Sequence, residues 1–117
     1  MARTRQRDAP AGALSDDDLQ QWLTRSRAQL GDQGISAVFG RGPRAGGAPG
    51  PTWVTMTATN AYGRLVRWAD GVATVTAHPL SGGPALLDER HPHTTIAQLE
   101  ALVAALSTAR PSAAGRA

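Results

Sequence analysis

"RLVRWADGVATVTAH", residues 64–78, decides the fold of this chain. Two runs of branched apolar residues flank Asp70-Gly71, the pattern of a β-hairpin. Asp-Gly suits a two-residue type I′ turn, in which both central residues take positive φ. Such a turn opposes Ala69 with Val72, Trp68 with Ala73 and Val66 with Val75. Opposed residues share a face. The expected hairpin therefore carries Val66, Trp68, Ala73 and Val75 on one face, and Leu65, Arg67, Thr74 and Thr76 on the other. A slip of one residue would mix the two sets.

Working outward, "WVTMTATN" (residues 53–60) alternates like a strand, with Val54, Met56 and Ala58 on one face and Trp53, Thr55, Thr57 and Thr59 on the other. "ISAVF" (35–39) reads as a short strand, and the Gly/Pro-rich "GRGPRAGGAPGP" (40–51) as a loop. "PLSGGPALLDERHPH" (79–93) is a connection with a brief edge strand at Ala85–Asp88.

A helix is expected at each end of this meander. In "LSDDDLQQWLTRSRAQLG" (14–31), Ser15 and Asp18 stand at capping-box spacing, and Leu14 with Leu19 at staple spacing. Asp16, Asp17 and Asp18 fill the first turn, where the helix dipole favours negative charge. Leu19, Trp22, Leu23 and Leu30 form the apolar stripe, and Gly31 is the expected C′ residue. The second helix runs from Ile96 to Thr108, with a capping box at Thr95 and Gln98. Ile96, Leu99, Leu102, Val103 and Leu106 form its stripe, and Pro111 bars continuation.

The order is α-β-β-β-β-(β)-α. A meander needs one face covered, and the two amphipathic helices are the available cover. The expected fold class is α+β: a two-layer sandwich of a four- to five-stranded antiparallel sheet, with both helices packed on its Val66/Trp68 face. Residues 14–109 form one domain, between a basic tail at 1–13 and a second tail at 110–117, both expected to be disordered.

Composition narrows the function. The chain has 117 residues, 41% of them apolar, enough for one modest core. It has no cysteine, so disulfides and thiolate metal sites are excluded. A basic N-terminus with no following apolar segment is not a secretory signal, and no apolar run reaches the ~20 residues of a membrane span. A soluble, cytoplasmic protein is expected. All twelve basic residues are Arg, a bias that points to a GC-rich genome, and a small bacterial protein is expected. Residues 14–109 hold seven Arg and eight acids, so the +3 net charge belongs to the tails.

The motifs are weak. "LDERHPHTT" (87–95) gathers Asp88, Glu89, His91 and His93, which with His78 supply metal-ligand types. Pro92 separates the two histidines, and the stretch leads into the Thr95 cap, so it reads more simply as a connector. "GRGPRA" (40–45) matches a dinucleotide fingerprint in letters only, because no helix follows and Pro43 removes a backbone donor. A P-loop needs a lysine, which is absent, and no serine lies in G-x-S-x-G. Asp16–Asp18 have the chemistry of a cation site, but their place in a first turn accounts for them.

The expected docking surface is the uncovered sheet face, lined by Leu65, Arg67, Thr55, Thr57, Thr74 and Thr76 with Trp53 at its margin. Arg41 and Arg44 of the Gly/Pro loop are expected to add to it. Trp and Arg are favoured anchors of protein interfaces. The helix–meander–helix order is similar to small bacterial immunity proteins and secretion-chaperone-like domains, a likeness of topology that implies protein binding. The reading is thus a non-enzymatic protein with no cofactor, which binds another protein or its own copy. One alternative is nucleic-acid association through Arg3, Arg5, Arg7 and Arg110, which would be salt-sensitive. The other is a metal-dependent enzyme built on His78, His91 and His93.

Overall fold

The structure is a computed structural model and describes residues 13–43, 46 and 50–109. Helix α1 (Asp16–Asp32) leads into strands β1 (Ser36–Arg41), β2 (Thr52–Thr57), β3 (Ala61–Arg67), β4 (Ala73–Pro79) and β5 (Leu87–His91), and helix α2 (Ile96–Thr108) follows. The strands form one antiparallel sheet in the order β1-β2-β3-β4-β5. Both helices lie on one face, α1 over β1 and α2 over β3 and β4. This is the expected α+β arrangement, with the fifth strand formed.

The covered face is not the expected one. Arg67 opposes Ala73 and Leu65 opposes Val75, one residue away from the type I′ register. The turn explains the shift. Gly71 N–H donates to Trp68 C=O and Trp68 N–H to Val72 C=O, each at 2.8 Å. Within the turn only Gly71 has positive φ, at 92°. This is a type I turn closed by a glycine bulge, a three-residue loop rather than a two-residue one. Asp70 serves it by accepting Val72 N–H on Oδ1 at 3.0 Å.

The extra residue sends Leu65 and Val75 to the helices and Val66 and Trp68 to the other side. Leu65 and Val75 are fully buried with Val54 and Met56, whereas Trp68 is 45% exposed. Small residues mark the covered face of the hairpin: Ala61, Gly63, Ala73 and Ala77 point inward beside Leu65 and Val75. They let the backbone of α2 come close. A Cβ at Gly63 would lie 2.5 Å from Leu102 Cδ1 and 2.7 Å from Thr76 C=O.

The helix starts are as expected. Ser15 Oγ accepts Asp18 N–H at 3.2 Å, and Asp18 Oδ2 accepts Ser15 N–H at 3.0 Å. Gln98 Oε1 accepts Thr95 N–H, and Gln98 Nε2 reaches back to His93 C=O at 2.7 Å. The end of α1 differs. Gly34, at φ 77°, is the C′ residue, not Gly31. Gly34 N–H bonds Gly31 C=O and Ile35 N–H bonds Leu30 C=O, which is a Schellman motif. Buried Ile35 and Leu30 supply its apolar contact. β5 begins and ends later than the expected Ala85–Asp88 strand.

Candidate functional site

Among the described residues nothing covers the sheet side opposite the helices, and the strand register lays this open side out in rows. One row runs Gly40, Trp53, Val66, Thr74, Arg90; the next Val38, Thr55, Arg64, Thr76, Asp88; the third Ser36, Thr57, Tyr62, His78. Val38 is 62% exposed and Tyr62 44%.

Several of these side chains are held in place. A Cβ at Gly40 would collide with the indole of Trp53, so glycine is what lets that ring lie flat across β1. The Arg64 guanidinium stands 5.8 Å from the Trp53 ring centroid, and its Nε donates to Thr55 Oγ1 at 3.2 Å. The cation is thus parked over an aromatic face. Trp68 Nε1 donates to Thr74 Oγ1 at 3.2 Å, which turns that indole back over β4. Tyr62 and His78 rings lie 5.6 Å apart. Among the described residues neither Arg64 nor Arg90 has a carboxylate partner.

The residues expected to line the docking surface divide between the two faces. Trp53, Thr74 and Thr76 are on the open face, with Thr55 and Thr57. Leu65 is in the core and fully buried, a consequence of the bulged turn. Arg67 is also on the helix side, where its Nη1 donates to Asp16 Oδ1 at 2.9 Å. Thr52, 1% exposed, donates its hydroxyl to the same oxygen, and Arg41 Nη2 stands 3.8 Å from Oδ2. Asp16 therefore ties the start of α1 to β1, β2 and β3. Arg41 and Arg67 serve that tie, and the bland reading of Asp16 as a first-turn carboxylate understates it. Arg44 and the tail arginines lie outside the described residues. Arg64, Trp68, Val66 and Tyr62 were missed as open-face residues. A count of small residues per face would have found them.

Strand alternation also splits "LDERH". Leu87, Glu89 and His91 face the helix side, and Asp88 and Arg90 the open side. His91 Nε2 and Glu89 Oε1 are 2.8 Å apart, beside a shallow hollow of about 290 Å³ that His93 also lines. His78 is on the opposite face of the sheet. Among the described residues no three His, Asp or Glu side chains converge as a metal site requires. Asp16, Asp17 and Asp18 likewise diverge: Asp16 turns to the sheet, Asp18 to Ser15, and Asp17 to solvent. Hydrogen bonds from the Ser15 backbone and hydroxyl, with a smaller contribution from Arg25, hold the Asp18 carboxyl below its ordinary pKa.

No protein-family profile, curated protein or solved structure matches the chain. No helix among the described residues is long and apolar enough to cross a membrane.

Proposed function

We propose that the chain is a protein-binding module that docks a partner on its open sheet face. The observation that carries this is the Gly40–Trp53–Arg64 stack, with Trp68 and Tyr62 beside it. Two indoles and an arginine, already fixed by neighbours, lose little side-chain entropy on binding. Aromatic residues and Arg are also the types that dominate interface energetics. The fitting partner presents apolar side chains to the aromatic rows and a carboxylate to Arg64 or Arg90.

The test is capture of a partner by the full chain and by face-specific variants. Arg64→Glu and Trp68→Ala are expected to lose a partner that the parent chain retains. Ala28→Glu, on the exposed surface of α1, is expected to keep it. Capture abolished by Ala28→Glu and unaffected by both open-face changes would move the contact to the helices and refute the reading.

A further inference from the structure

We propose that β1 is a self-association edge, which pairs antiparallel with β1 of a second copy to extend the sheet. This goes beyond the docking reading and stands even if that reading fails.

Among the described residues the sheet has two edge strands, β1 and β5, and they differ in chemistry. β5 carries Asp88, Glu89 and Arg90 along its length, the charges that keep an edge strand from pairing. β1 has no charged side chain from Ser36 to Gly40. Its backbone phase follows from one bond: Gly42 N–H donates to Pro51 C=O at 2.7 Å, within the β1–β2 register. Hydrogen-bonded pairs alternate along an antiparallel ladder. Ser36, Val38 and Gly40 therefore spend their backbone groups on β2. Ala37, Phe39 and Arg41 turn theirs outward.

A two-fold pairing must satisfy both that phase and the two faces. Setting Val38 against Val38 of the second copy does so. It brings Ala37 opposite Phe39 of the other chain, so outward donors meet outward acceptors. It also puts Val38 in a non-hydrogen-bonded pair, where side chains are closest. At 62% exposure, Val38 is the most exposed large apolar side chain among the described residues, and this arrangement covers it with itself. On the helix side, Phe39 of the second copy stands opposite Ala37. There a hollow of about 280 Å³ opens beside the edge, with Leu30, Ile35 and Ala37 as its apolar wall and Arg27 and Ser36 as its polar one. The product is a ten-stranded sheet with both open faces on the same side. A single strand pair is small against the ~1,200–2,000 Å² of a stable complex, so the association is concentration-dependent.

The test is the mass of the full chain in solution, measured by light scattering across a concentration series. The parent is expected to rise toward twice the 12.2 kDa of one chain. Val38→Lys and Val38→Glu, at an exposed position that leaves the fold intact, are each expected to stay monomeric. An equimolar mixture of the two is expected to regain the doubled mass, because the new charges meet at the axis. A parent that remains monomeric at every concentration overturns the proposal. So does a dimer that Val38→Lys leaves unchanged, since that dimer would use another surface.

Discussion

Gly63 has no room for a methyl group. Its would-be Cβ meets both the Leu102 side chain and the backbone oxygen of Thr76, and the latter has no freedom to retreat. Gly63→Ala is therefore expected to push α2 from the sheet and to lower stability by about 1–3 kcal/mol, the usual cost of overpacking. Denaturant unfolding measures it. Asp16 is the second residue on which much converges. Asp16→Ala strips the buried Thr52 hydroxyl of its acceptor and frees Arg67, so a loss of about 1–3 kcal/mol is expected in the same assay. Neither role was legible in the sequence. Asp16 looks complete as a first-turn carboxylate, and only the fold shows that Thr52 and Arg67 arrive beside it. Gly63 reads as a weak point in a strand, when it marks a close approach.

Among the elements, the helices were legible and the hairpin only in part. Ser15, Asp18, Thr95 and Gln98 declare the helix starts because capping chemistry is local. The end of α1 was misplaced because Gly31 and Gly34 both suit a C′ position, and the Leu30–Ile35 contact selects the second. The hairpin was found, but its register was not. Asp70-Gly71 fits a two-residue loop and a three-residue bulged loop alike, and Val66 and Trp68 are as apolar as Leu65 and Val75. Packing against α2 decides, because only the Ala61–Gly63–Leu65 face is thin enough. Both turns need glycine at 71, and at φ 92° a β-branched residue is strained. Gly71→Val is expected to lower stability by more than about 1 kcal/mol. A thermal midpoint equal to the parent's would refute the bulged turn. The α1 cap has its own signature. The folded carboxyl of Asp18 titrates below its ordinary value, so its contribution is present above the ordinary carboxylate range and lost as pH falls through the folded value. Acid is thus expected to destabilise the parent more than Asp18→Asn, measured as helix content against pH.

At the scale of the whole molecule, element order and one-sided cover followed from two amphipathic helices flanking a meander. Which side they cover did not, and the candidate docking residues moved with it: Leu65 and Arg67 left the open face, and Arg64, Val66, Trp68 and Tyr62 took their place. The histidines cannot be sorted from the letters alone, because only the strand register shows that His78 takes the open side of the sheet and His91 the helix side. The docking reading and the stack at Trp53 both depend on the open side being the Val66 side. The chain has no cysteine of its own, so single cysteines report each face without interference. Val66 and Val75 discriminate most directly, since a type I′ hairpin would place them together and the bulged hairpin places them on opposite faces. Maleimide labelling of Val66→Cys under native conditions is expected to go to completion while Val75→Cys reacts only after unfolding. Equal protection at the two positions, or faster labelling at Val75→Cys, would contradict the account.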